Sequence, residues 1–185
     1  MMGEGETIPI LSESFLSRIR ELALEPSSEL LEVVVETQRM HRYRWSVGEH
    51  YRFVRSYVIS TSRFGTGQIE DSNQTPLGVH RIRDKIGAGE PEGTVFKGRV
   101  PVGLIQEGFP DAPIAHRILW LEGCEPGFNQ GGNCDTYRRY IYIHGLADEP
   151  SLGRPASIGC VHMAAKDLIP LFDEVSEGTL VWIRP

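Results

Sequence analysis

The 185-residue sequence has no apolar run near the roughly 20 residues that a membrane-spanning helix needs. It also lacks a block of Lys and Arg. Acidic residues outnumber basic ones 25 to 19 and the formal net charge is −6, a balance that argues against a nucleic-acid partner. Cysteine is scarce, with three in the whole chain, and neither a Cys-x-x-Cys nor a His-x-x-x-His spacing occurs, so no zinc site or other cofactor is expected. Cys124 and Cys134 flank the Gly/Asn-rich stretch 125–133, and a disulfide between them is sterically open in an exported protein. Internal repeats and low-complexity segments are missing as well. With 40% apolar residues, the length suits one domain with a substantial core.

The start of the chain lacks a secretory pattern. Met1 to Pro26 opens with Glu4 and Glu6 in place of a basic segment and an apolar run, which leads to the expectation of a cytoplasmic protein, or of a periplasmic or cell-wall one if a natural leader is missing. Leu11, Phe15, Ile19 and Leu22 instead follow helical spacing, closed by Pro26. The expected division is an N-terminal helical extension over 1–29 and one catalytic domain over 30–185.

Beyond Pro26 the chain is rich in strand signals. Leu31–Glu36, Tyr51–Ser60, Val79–Asp84, Thr94–Val100, Arg117–Leu121, Tyr137–Ile143 and Leu180–Ile183 are short apolar or alternating runs parted by Gly, Pro, Asn and Ser. Tyr51, Phe53, Tyr57 and Ile59 alternate with Arg52, Val54, Ser56 and Val58, which fits a sheet with one face more buried than the other. Ala164–Val175 reads as a helix whose regular part begins near Lys166 or Asp167, because Pro170 fits a first turn without losing a hydrogen bond. These signals predict a mostly β (α+β) fold, an antiparallel β-sandwich with an N-terminal helix and a second helix late in the chain. The stretches 62–74 and 123–136 read as long loops of the kind that border a site.

Two short motifs carry chemistry. His144-Gly145 closes a run of period-two alternation that puts Tyr140, Tyr142 and His144 on one strand face, and 16 residues separate His144 from Cys160 in Ser157-Ile158-Gly159-Cys160. A thiol becomes a strong nucleophile only beside a base, and two strands of one sheet can bring such a pair together. Such a pair is expected to alkylate faster than a free cysteine near neutral pH. A glycine before the cysteine permits close backbone approach to a ligand, and the N–H groups of Gly159 and Cys160 are candidates for stabilising an oxyanion. Taken singly, a cysteine is more often a small buried hydrophobe and a histidine a satisfied polar residue.

With these residues the chain resembles the L,D-transpeptidase catalytic domains of the YkuD type over roughly Leu30 to Ile183. Thr75-Pro76-Leu77-Gly78 is similar to the family's turn ahead of a strand, and Glu177-Gly-Thr-Leu-Val181 to its closing strand. The resemblance implies an enzyme acting on peptidoglycan stem peptides or muropeptides. Cys160 would attack the carbonyl between a diamino acid and the terminal D-alanine, His144 would carry the proton, and a backbone carbonyl near Gly145 would orient the imidazole. Water as acceptor makes a carboxypeptidase, which the expected compartment favours. An amine makes an exported cross-linking transpeptidase. Ser157, His162, Arg154 and Tyr142 would contact substrate. Many family members carry histidine where this chain has Ile158 and arginine where it has His162. Arg154 is the candidate replacement for that guanidinium, and a binding module with impaired catalysis is the alternative outside enzymes.

Overall fold

The computed structural model describes residues 9–48 and 50–185; the acidic opening at Glu4 and Glu6 lies outside them. Helix α1 (Glu13–Glu21) begins where the Ser12 hydroxyl accepts the Ser14 N–H, and it buries Phe15 and Ile19. Ten strands come after it: β1 (Glu29–Val34), β2 (Arg39–Ser46), β3 (His50–Ser60), β4 (Gly78–Ile86), β5 (Thr94–Lys97), β6 (Val100–Leu104), β7 (Ala115–Gly123), β8 (Tyr142–Gly145), β9 (Val161–Met163) and β10 (Leu180–Arg184), with α2 (Ala165–Glu174) between the last two. The strand order is β4-β10-β1-β2-β3-β9-β8-β7-β5-β6, and β4 also pairs with β7. Eight strands therefore close on themselves, and the β5–β6 hairpin hangs outside the ring on β7. The class is the one the sequence predicts, but the sheet is mixed: β1 runs parallel to β10 and β8 parallel to β9.

The interior is filled by Leu31, Val33, Met40, Tyr57, Ile59, Ile82, Leu119, Ile143 and Val161, with Leu168, Leu171 and Phe172 of α2. A second cluster sits on the other side of β1 and β2, where Phe15 and Ile19 of α1 meet Leu30, Tyr43, Tyr51 and Val79. Strand β3 serves both. Tyr43 faces Phe53 and Arg42 faces Arg55, so Val54 is an extra residue. This bulge turns Tyr51 and Phe53 toward α1 but Tyr57 and Ile59 toward the interior, and the single buried face expected from alternation is in fact two.

Other departures have equally local causes. Strand β2 is absent from the expected strands because its Arg/His-rich sequence masks the apolar period, yet Met40 and Tyr43 are buried within it. Thr94–Val100 is not one strand: Gly98 (φ 56°) and Arg99 (φ 68°) form a two-residue turn, with Lys97 facing Val100. Helix α2 starts at Ala165, which places Pro170 inside it and past the first turn. The run 137–143 becomes a strand only at Tyr142. Before it, Tyr140 N–H bonds Tyr137 O (3.1 Å) and Ile141 N–H bonds Thr136 O (3.4 Å), closing a helical turn whose last residue, Tyr140, has φ 55°.

One buried ionic group ties α2 to the sheet. Arg42 donates to Glu29 (2.7 Å) and to Glu174 of α2, and Arg44 also donates to Glu29 (2.7 Å). Burial would raise the Glu29 carboxyl, but the two guanidinium hydrogen bonds outweigh it and hold the pKa below its ordinary 4.5. Because the folded-state pKa is depressed, the stabilisation is complete above that ordinary value and fades as pH falls through the lower folded one. Glu29→Gln should cost ~3 kcal/mol at pH 7, the low end for breaking a buried pair, since Glu174 still meets Arg42. Its unfolding free energy should also depend less on pH below 5 than that of the unchanged protein, as read by urea denaturation. A cost below about 1 kcal/mol would show that the pair is energetically idle.

Candidate active site

The parallel pair β8–β9 sets Ile143 beside Val161 and His144 beside His162. Ile143 and Val161 point into the core, so Tyr142, His144 and His162 share the opposite face, and Cys160 packs there against Phe96, Ile118, Trp120 and Tyr142. The two histidine rings lie 4.8 Å apart, edge to face.

The cysteine loop is pinned from several sides. Ser157 Oγ donates to Cys160 O (2.6 Å) and accepts the Gly159 N–H (3.2 Å), while Thr75 Oγ1 donates to Gly159 O (2.9 Å) and accepts the Ser62 N–H (3.0 Å). Gly159 has φ 133°, and a Cβ there would come within 3.2 Å of Ile141 Cδ1, so the position suits glycine alone. Arg139 holds the neighbouring loop by donating to the carbonyls of Gly67 (3.1 Å), Gln68 (3.1 Å) and Gln74 (2.6 Å). Ser157 is thus occupied within its loop rather than facing a ligand. The Gly159 N–H is occupied too, which leaves the Cys160 N–H as a donor for an oxyanion, joined by the Tyr142 N–H once the sulfur that it holds at rest moves away.

His144 is buried, and its Nδ1 lies 2.7 Å from Gly145 O. A carbonyl only accepts, so Nδ1 carries the proton and Nε2 is the free acceptor, the tautomer a general base needs. Gly145 is fixed by crowding: a Cβ there would sit 2.7 Å from His116 and 2.8 Å from Ala115 O. The thiol itself rests elsewhere. Cys160 Sγ accepts the Tyr142 N–H (3.4 Å) and donates to Tyr140 O (3.5 Å).

The resting pair is not ionised. Burial pushes the Cys160 thiol up to about 11, against the pull of the Tyr142 N–H and the Arg139 charge. Burial, helped by His162, lowers His144 to about 3, and burial lowers His162 to about 4. Burial thus works against the sequence-based expectation of an alkylation-prone thiol, since it favours a protonated thiol and two neutral imidazoles. Acidity alone does not single out Cys160, because burial raises Cys124 to about 11 as well. All three cysteines are free thiols, and among the described residues no cluster of His, Cys, Asp and Glu could hold a metal.

The chain's likeness to known proteins fits this geometry. The sequence profile of the L,D-transpeptidase catalytic domain, YkuD, matches residues 26–183. The chain belongs to that family. The YqjB protein of Bacillus subtilis (strain 168) is 35% identical over 79 residues, 43% of this chain and 39% of that protein. Among solved structures, Bdellovibrio bacteriovorus Bd1075 is 15% identical and superposes with a TM-score of 0.56, covering 85% of this chain and 48% of that one. An Enterococcus faecium L,D-transpeptidase is 18% identical with a TM-score of 0.51, covering 86% and 50%. These two likenesses speak for the fold. The chain spans half or less of the length of each of these three relatives.

The remaining sequence-derived site residues fall in different places. Arg154 is exposed, its side chain has no hydrogen bond or ion pair among the described residues, and its backbone carbonyl accepts from Ser60 Oγ (2.7 Å). His162 borders a cleft lined by Asp111, Asp148 and Ser151, and its buried Nδ1 has no hydrogen-bond partner among the described residues. A neutral imidazole in a cleft that two carboxylates also line is poorly suited to receive another anion. Tyr142 spans the site, its N–H on the sulfur and its phenol oxygen 3.2 Å from Arg99. Sequence reasoning missed Arg99 as a partner of Tyr142 and Thr75 as a partner of the cysteine loop. The Gly98-Arg99 turn was the one local signal for the first, and the distant Thr-Pro-Leu-Gly motif the one for the second.

Two measurements check the resting state and its clamp. With no substrate present, iodoacetamide labelling of Cys160 should accelerate about tenfold per pH unit from 7 to 9, without levelling, because the thiolate is a minor species throughout. A plateau below pH 8, read by mass spectrometry, would mean an ionised pair. Thr75→Ala removes the bond to Gly159 O and should cost about 1–2 kcal/mol of stability, measured by thermal melting, by leaving buried backbone groups unpaired.

Proposed function

We propose that the chain is a cysteine acyltransferase that cleaves the L,D bond between the diamino acid and the terminal D-alanine of a peptidoglycan stem peptide, with water as the acceptor. The observation that supports it best is the placement of Cys160 and His144 on one face of the β8–β9 pair, with the imidazole already in its base tautomer. In this reading substrate draws the sulfur from Tyr140 O toward His144 Nε2. The thiol proton passes to the imidazole as sulfur attacks the carbonyl carbon, and the oxyanion is met by the Cys160 and Tyr142 N–H groups. The C–N bond then breaks, His144 returns the proton to the departing amine, and a thioester remains. Water, deprotonated by the same imidazole, releases the tripeptide acid and the free thiol.

A neutral pair suits this order of events. Charge appears only when a carbonyl is present to share it, so the ionisation is driven by the reaction rather than stored beforehand. Water as acceptor is supported by the open rim: Tyr140 and Ile158 flank the thiol and are 54% and 62% exposed. One observation favours the second reading, an amine acceptor. The cleft beside His162 is lined by Asp111 and Asp148, which attract an ammonium group.

Incubation with a soluble tetrapeptide tests both. Tripeptide and D-alanine should be the main products. Cys160→Ala should lower turnover at least a thousandfold, whereas Cys124→Ala and Cys134→Ala should keep most of it. Cross-linked dimer in excess of tripeptide, at acceptor concentrations matching the donor, would favour the transpeptidase. Absence of any acyl adduct on Cys160 by mass spectrometry would favour a binding module.

A further inference from the structure

The β5–β6 hairpin carries one residue over the site. Arg99 occupies the second position of its two-residue turn with φ 68°, and its guanidinium lies 4.6 Å from the Trp120 ring centre and 5.2 Å from that of Tyr140. Its Nη1 donates to Tyr142 Oη (3.2 Å). Trp120 and Tyr142 belong to the cluster, with Phe96 and Ile118, on which Cys160 packs. The cation is thus stacked, half-buried and directed at the site, and no carboxylate lies within ion-pair distance of it among the described residues. Tyr142 raises it further by hydrogen bonding, so it stays charged at every working pH.

We propose that Arg99 is the residue that receives the terminal carboxylate of the peptide, the one on the leaving amino acid. This deepens the function proposed above and rests on it for the identity of the ligand. Tyr142 links the two places, its N–H beside Sγ in the resting state and its phenol oxygen accepting from Arg99. In a peptide whose scissile carbonyl carbon meets Sγ, the terminal carboxylate carbon lies within about 4 Å of that carbon, along the leaving side. A guanidinium fork can then close on it with two parallel hydrogen bonds. The other basic candidates are worse placed, since Arg154 is exposed with no side-chain partner, Arg139 is consumed by three carbonyls, and His162 is neutral beside two aspartates. The aromatic stack fixes the guanidinium plane in advance, so little freedom is lost when the carboxylate arrives.

The experiment separates binding from turnover. Calorimetry is done on Cys160→Ala, with Arg99 intact or changed to Gln or Lys, using the tetrapeptide acid and the same peptide ending in an amide. With Arg99 intact, the acid should bind at least tenfold more tightly than the amide. Arg99→Gln should weaken acid binding at least tenfold and bring acid and amide within about twofold, and Arg99→Lys should keep part of the preference. Equal binding of acid and amide to the protein with Arg99 intact overturns the proposal, as does a preference that survives Arg99→Gln or an acid peptide that fails to bind at millimolar concentration. The comparison of the two peptides on intact Arg99 holds even if a variant misfolds. If the acid preference is present while the unchanged enzyme releases no D-alanine, the anchor stands and the hydrolytic reading fails; the reverse result fails the anchor alone.

Discussion

The register of two short parallel strands governs the rest of the site. Four residues of β8 and three of β9 are enough to decide that His144 stands beside His162, that Tyr142 presents its N–H to Sγ, and that Ile143 and Val161 anchor the pair in the core. A slip of one residue would carry each histidine to the apolar side, where an imidazole has no partner. The slip is opposed on both flanks: β7 pairs with β8, β3 pairs with β9, and the ring of strands has no free edge between them. Precision at Cys160 is therefore a property of the closed sheet.

Around this frame, the sequence-distant segments act as clamps rather than reagents. Thr75 holds Gly159 O, Ser157 holds Cys160 O, and Arg139 gathers three carbonyls of the 67–74 loop. Each satisfies backbone groups that would otherwise be buried unpaired. The arrangement also divides the site electrically, with the Arg99 guanidinium on the Tyr140–Trp120 side and carboxylates in the cleft that His162 lines.

Much of this was legible from the residues. The glycine before Cys160 announced a tight backbone, the alternation ending at His144 announced a strand, and the scatter of short apolar runs announced a β-rich fold. What escaped has physical reasons. The bulge at Val54 leaves alternation unbroken in the sequence while exchanging the buried face. Strand β2 hides behind arginines that are buried or paired by partners more than ten residues away, such as Glu29 and Glu174. Arg99 looks like a solvated turn residue until the hairpin is folded over Trp120, and acidity shifts in Cys160 and His144 arise from burial that no spacing rule encodes.

The sulfur parked on Tyr140 O has a consequence for the redox chemistry of the cysteine. Peroxide and disulfide exchange consume the thiolate, and burial that pushes the thiol up to about 11 disfavours that form at neutral pH. Under the proposed function, a cysteine that ionises only in the presence of its carbonyl would be shielded from oxidants between turnovers, with no need of a resolving cysteine nearby.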